Sequence, residues 1–274
     1  MWHLLRRTAF HIRNEGLAGA LRRGWHRLAD PWYEWRLGIR SAAYIRLPAL
    51  GINDPACHDY EPTAFADVWR ILRHLPIEPG RAVLLDYGAG MGRMLAAAAM
   101  HPFRRVIGIE LIPELHTIAQ GNIARLQDRL QCPQVELINA DACEYPVPAD
   151  VTVIYIFNAF SGWVLERVLE QIRRSVEISP RRVTLVFCAP PECSGDPLGQ
   201  QSWLAPTHTL PGFRNRTIWF YETLPLPAPI RSESLALADP IAGRAKPGAA
   251  MPTGVGFGCG SGPTAQAPQP AQGF

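Results

Sequence analysis

Residues 82–93 read Ala82-Val83-Leu84-Leu85-Asp86-Tyr87-Gly88-Ala89-Gly90-Met91-Gly92-Arg93, and their reading decides the fold. A short apolar run ends in an acid. A loop with glycine at every second position follows, then a helix-forming run from Met94 to Met100. Strand, tight turn and helix in that order make the entry to a nucleotide-type ligand site in an α/β sheet. Glycine lets such a loop take backbone angles closed to other residues and lets the main chain approach a ligand closely. The helix start presents free N–H groups to the same ligand.

The dinucleotide fingerprint G-x-G-x-x-G is a poor match. The third glycine comes one position early, at Gly92, and Arg93 stands where that pattern wants glycine. Asp86 at the strand end suits a cationic or amine-bearing ligand better than a pyrophosphate. A nicotinamide dehydrogenase is therefore the weaker reading. The pattern D-x-G-x-G-x-G, from Asp86 through Gly88, Gly90 and Gly92, resembles the first motif of the class I, seven-strand S-adenosylmethionine-dependent methyltransferases. The resemblance implies a Rossmann-like, doubly wound, mostly parallel α/β sheet closed by a C-terminal antiparallel β-hairpin. It also implies S-adenosylmethionine as cofactor, with Asp86, Gly88, Ala89, Gly90 and Gly92 around its methionine part.

Downstream residues fit the same resemblance. Residues 105–110 read as a second strand ending in Glu110, one β-α-β unit beyond the loop, where an acid accepts hydrogen bonds from both ribose hydroxyls. The resemblance counts Leu111, which follows Glu110, and Asn158 among the cofactor-binding residues, and Pro113 opens a helix to about residue 130. A third strand over 135–139 is followed by Asp141 and Ala142. In the family this acid takes the adenine amine, and the next N–H meets a ring nitrogen. The run 151–157 is apolar throughout, as a central parallel strand should be, and leads into Asn158-Ala159-Phe160. The family places its substrate-facing motif here, which assigns Asn158 and Phe160 to the methyl acceptor. Relatives read F-N-P-F, so Ala159 departs from the pattern and loosens the turn by roughly 1 kcal/mol or less.

Upstream, Tyr60-Glu61-Pro62-Thr63 leads into a helix over 64–75, with Thr63 placed as its N-cap. This arrangement resembles the non-SET protein lysine methyltransferases and the bacterial proteins similar to them. There the preceding segment covers the cofactor, which adds Tyr60 and Thr63 to the expected cofactor site. The implied activity is methyl transfer to an amine nitrogen, protein lysine included. A small-molecule methyltransferase and a non-catalytic S-adenosylmethionine-binding interaction protein remain open. Direct displacement needs alignment and a dry channel more than acid–base machinery, so no general base is assigned. Nucleic acid is disfavoured as acceptor, because the motif lacks a double proline and no basic domain follows.

Composition sets the outer limits. A chain of 274 residues with 47% hydrophobic content holds one large α/β domain plus extensions, and a formal charge of +3 implies neither nucleic acid nor membrane. The expected division is a basic helical extension over 1–59, the methyltransferase domain over 60–226 and a disordered Pro/Gly/Ala-rich tail over 227–274. Residues 2–29 read as helix, interrupted near Asn14-Glu15-Gly16 and ended by Asp30-Pro31, with Trp32, Tyr33 and Trp35 packing beneath it. Such a basic amphipathic helix suits its own domain, an acidic partner or peripheral contact with a membrane surface. The cysteines at 57, 132, 143, 188, 193 and 259 form no C-x-x-C pair, so neither zinc nor a disulfide framework is expected. A reduced, cytoplasmic protein accounts for them most simply. No run of about 18 apolar residues predicts a membrane span.

Overall fold

A computed structural model describes residues 29–189, 193 and 195–225. Residues 2–28 of the expected N-terminal helix and the expected tail over 227–274 lie outside the described residues. The chain is helical over 29–37 (α1), so Asp30-Pro31 sits within a helix instead of ending one. Proline withholds a single N–H, and the Asp30 carboxylate is engaged elsewhere, accepting from Phe65 N–H at 2.9 Å and from Arg93 at 2.8 Å. Gly38 ends the helix in the left-handed region (φ 72°), its N–H donating to Glu34 O at 2.8 Å. Of the three aromatics expected beneath the N-terminal helix, which lies outside the described residues, Tyr33 turns inward, onto Phe65 and Trp69. Trp32 and Trp35 are 49% and 80% exposed, because the helical repeat carries them off the face shared by Tyr33 and Leu37.

Helix α2 spans Phe65–His74 and buries Phe65, Val68, Ile71 and Leu72 on one side. Its N-cap is Ala64, which corrects the expectation for Thr63. The first amide, on Phe65, is already met by Asp30, and the Thr63 hydroxyl turns inward to pair with the buried Tyr155 hydroxyl at 2.7 Å.

The remaining elements are β1 (Val83–Tyr87), α3 (Arg93–Ala99), β2 (Arg105–Glu110), α4 (Pro113–Arg125), β3 (Val135–Asn139), β4 (Val153–Phe157), α5 (Gly162–Ile178), β5 (Thr184–Ala189), β6 (Leu204–Pro211) and β7 (Thr217–Thr223). Helix α4 stops at Arg125, before the expected residue 130, where the chain tightens into a 3-10 turn at Gln127–Arg129. The strands form one sheet in the order β3-β2-β1-β4-β5-β7-β6. The first five run parallel, and β7 pairs antiparallel with both β5 and β6. This is the Rossmann-like architecture expected, with its closing hairpin.

Successive residues of a strand face opposite sides, and both sides of this sheet are covered. Leu84, Val106, Val153 and Phe220 pack with α2 and α3, whereas Leu85, Ile107, Ile154 and Tyr221 pack with α5. Strand order reverses direction between β1 and β4. In open α/β sheets that reversal leaves a crevice at the carboxyl ends of the strands. Among the described residues no helix is long and apolar enough to cross a membrane.

Candidate functional site

A cleft of about 930 Å³, open mouth included, lies at that reversal. It is floored by the ends of β1, β2 and β4, with the turn after β3 beside them. Asp86, Gly88, Ala89, Glu110, Leu111, Asp141, Ala142, Asn158 and Phe160 all line it. Tyr60 and Thr63 line it from the other side, on a strap that runs over 39–64. Gly90 and Gly92 are not among the lining residues; Gly90 lies under the Tyr60 ring and Gly92 against Ala119. The sequence-predicted residues are therefore brought to one place.

The glycine loop is held to β2 by the Gly88 and Ala89 amides, which donate to Ile109 O at 3.0 and 2.9 Å. Gly90 is left-handed (φ 55°), and a Cβ there would stand 2.2 Å from Cε2 of Tyr60. The tyrosine ring thus rests on the glycine, and its hydroxyl donates to Ser41 O at 2.8 Å. At Gly88 a Cβ would meet that of Ala159 at 2.5 Å, so loop and β4 turn are in contact. Gly92, also left-handed, is the N-cap of α3.

Two acids lie at the heart of the cleft. Glu110 is buried, and each of its oxygens accepts one backbone amide: Oε2 from Gly90 N–H at 2.6 Å and Oε1 from Ile112 N–H at 2.9 Å. Burial raises its pKa despite those bonds. Asp86 is buried more completely, and its pKa is raised well above the usual carboxylate range, by burial first and by the Glu110 charge second. Among the described residues neither a hydrogen bond nor a neighbouring cation opposes that shift. Asp141 accepts from Cys143 N–H at 2.8 Å in an Asx turn, which fixes the loop after β3.

Asn158 is left-handed (φ 45°), a conformation that Asn tolerates better than most residues. Its turn is stitched to the strap. Cys57 and Phe160 form an antiparallel bridge, and Ser161 N–H donates to Ala56 O at 2.8 Å. His58 N–H donates to Ala159 O at 3.0 Å, while its ring nitrogens lie 3.2 Å from Asn158 Oδ1 and 2.9 Å from Ser161 Oγ. Phe160 packs edge-on against Tyr87. Burial raises the thiols of Cys57 and Cys143, the latter to about 11, so neither is a thiolate at neutral pH.

Sequence reasoning missed three groups. His58 is one; nothing in its spacing marks it as a partner of residue 158. Arg93 is another. It is 3% exposed and donates to Asp30 and to Thr63 O from Nη1 (2.8 Å each), to Ser41 Oγ from Nε (2.8 Å) and to Glu34 from Nη2 (3.3 Å). A signal was available here, since a lone arginine opening an otherwise apolar buried helix must find partners. The third is Glu61 on the strap, which binds Arg214 and Arg216 from the β6–β7 turn at 2.5 and 2.7 Å.

Residues 84–178 match a family model described as a methyltransferase domain. No curated protein matches the chain significantly. Among solved structures the chain is similar to an RNA methyltransferase from Salinibacter ruber in complex with S-adenosyl-L-homocysteine, with 24% identity, 62% of this chain and 97% of that one covered, and a TM-score of 0.45. It is also similar to a SAM-dependent methyltransferase from Aquifex aeolicus, with 14% identity, 58% and 90% covered and a TM-score of 0.45. Magnesium protoporphyrin IX methyltransferase from Synechocystis PCC 6803, with bound SAM, gives 15% identity, 58% and 77% covered and a TM-score of 0.43. The matched stretch, about a third of the chain, lies on the strands and turns that frame the cleft, and it is similar to a methyltransferase domain.

Proposed function

We propose that this enzyme transfers the methyl group of S-adenosylmethionine to an amine nitrogen, and that protein lysine is the acceptor class. Residues 60–226 are the methyltransferase domain, and 39–59 extend the strap that covers its cofactor site. The observation that carries the cofactor half of the reading is Asp86. A buried carboxyl to which no described residue offers a cation is costly when ionised, and a ligand that brings positive charge removes that cost. The bound cofactor supplies a sulfonium methyl group open to in-line attack.

The chain's own residues then divide the work. Glu110, its carboxylate oriented by two amides, retains lone pairs for the ribose hydroxyls. Asp141 receives the adenine amine, and the Ala142 amide a ring nitrogen. Gly88, Ala89, Gly90 and Gly92 form the loop against the methionine part, with Leu111 beside Glu110. Tyr60 and Thr63 close the cleft from the strap and exclude water. Asn158 offers an amide to the acceptor nitrogen, and Phe160 walls its approach. Among the described residues the only arginine that lines the cleft, Arg93, is already engaged by Asp30 and Glu34, so none of them offers a free guanidinium to repel an amine.

The test uses purified protein, tritiated S-adenosylmethionine and lysate from cells lacking the gene, followed by acid hydrolysis of the labelled protein. Label on lysine side-chain nitrogen is expected, and label confined to oxygen, carbon or nucleic acid overturns the amine reading. Asn158→Ala should cut turnover by on the order of tenfold or more, through lost alignment. Its affinity for S-adenosylhomocysteine, measured by calorimetry, should stay within about twofold, because an acceptor residue adds no uniform binding to the cofactor.

A further inference from the structure

We infer that His58 is a positioning residue for Asn158, acting through a ring that carries its proton on Nδ1. This rests on the reading that Asn158 faces the acceptor. The turn after β4 holds Asn158 in a left-handed conformation, and something must over-determine that geometry for it to persist. His58 does so from a different element. It is held to the turn at three points: backbone N–H to Ala159 O, Nδ1 at Asn158 Oδ1 and Nε2 at Ser161 Oγ. The flanking bond from Ser161 N–H to Ala56 O and the bridge between Cys57 and Phe160 fix the register, so the ring cannot slide along the turn.

The partners set the tautomer. An amide oxygen only accepts, so Nδ1 must donate. In the neutral ring Nε2 is then the acceptor, and the Ser161 hydroxyl donates to it. The chain Ser161 Oγ–H to Nε2, Nδ1–H to Asn158 Oδ1 thereby locks the orientation of the Asn158 amide. One lone pair of Oδ1 is taken by His58, and the other remains for an N–H of the acceptor. A freely rotating amide would present its NH₂ half the time and repel that N–H. His58 makes the difference, although it need not touch the acceptor.

The first measurement is ¹⁵N NMR of the histidine rings in the unmutated protein at neutral pH, with His58 assigned by comparison with His58→Gln. A pyrrole-type Nδ1 and a pyridine-type Nε2 are expected. A ring with its proton on Nε2 overturns the inference, since the amide would then have to face His58 through its nitrogen. The second compares His58→Asn, whose amide nitrogen can stand in for Nδ1, with His58→Gln, which reaches toward Ser161. Turnover is read with tritiated S-adenosylmethionine and the lysate described above. His58→Gln should lose at least about tenfold more turnover than His58→Asn, with affinity for S-adenosylhomocysteine alike in both. Equal turnover in the two overturns the inference while leaving a damaging Asn158→Ala to support the acceptor site. A silent Asn158→Ala would instead remove the acceptor-site reading, and this inference with it.

Discussion

Arg93→Met should destabilise the protein by about 3 kcal/mol, the lower end of the 3–5 kcal/mol that follows removal of one partner from a buried ion pair. The guanidinium carbon lies 4.2 Å from the Phe65 ring centroid, so methionine, which keeps only the stem, loses that cation–π contact along with the charge and the hydrogen bonds. The variant leaves Asp30 and Glu34 without their cation and leaves Thr63 O and Ser41 Oγ short of a donor. The side chains of Asp30 and Glu34 are 22% and 17% exposed, so water recovers part of the cost, and the lower figure applies. At about 2–4 °C per kcal/mol for a domain of this size, the melting temperature should fall by roughly 6–12 °C. The same bonds tie α1 and the strap to the start of α3, so affinity for S-adenosylhomocysteine should fall as well. Calorimetry and thermal melts read both. Asp30→Asn added to Arg93→Met should cost less than the two changes separately, with a coupling of about 1 kcal/mol or more. A melting temperature lowered by less than about 2 °C, strictly additive with Asp30→Asn, would refute the view that Arg93 is the tether.

Gly90→Ala forces a Cβ into the Tyr60 ring at a left-handed position. It should cost about 1–2 kcal/mol for the backbone and about 1 kcal/mol more for the displaced Tyr60–Ser41 bond. Adding Tyr60→Ala should relieve the steric share in urea melts, and failure to do so would deny the contact. Asp86 has a folded-state pKa above its unfolded value, so between the two the folded chain holds more protons; its contribution is fully present below the unfolded pKa and is lost as pH rises through the folded pKa. Asp86→Asn should therefore raise the melting temperature of the cofactor-free protein at pH 7, by less as the pH is lowered, while weakening S-adenosylmethionine binding. A lower melting temperature together with unchanged affinity would contradict both halves. The Tyr87 hydroxyl is buried without a partner among the described residues, so Tyr87→Phe should leave stability unchanged or raise it by up to about 1 kcal/mol. A loss of that size would reveal a partner.

The parallel half of the fold was legible because its strands carry their own punctuation. β2 and β3 fall at their expected bounds, each a mainly apolar stretch ended by a polar residue at the strand's carboxyl end. The closing hairpin is expected from the sequence, but the bounds of its first strand, β6, are not legible, since Pro206 and Pro211 blur the pattern. An edge position tolerates both prolines, with a register shift between Pro206 and His208. The cofactor-side acids were legible for the same reason as the strands, since each sits where an apolar run stops. What sequence could not supply was pairing at long range. Thr63 looks like a cap until Asp30, 35 positions from Phe65, takes the amide first. His58 and Asn158 lie 100 positions apart, and neither sits in a pattern that names the other. Local chemistry announces a turn or a strand end, but the partner of a side chain is set by topology.

The sheet order has a consequence for how the molecule is made. β7 is the last of the described strands in sequence, yet it lies inside the sheet, between β5 and β6. As synthesis proceeds, the parallel core can assemble in the order it emerges, but β6 then has no ladder to join and β5 keeps an unsatisfied flank of N–H and C=O groups. Both defects are cured in one step when Thr217–Thr223 arrives. A nascent chain halted before that point carries a sticky edge beside an already shaped cofactor crevice. The final strand is thus a latch on quality as well as a wall of the fold.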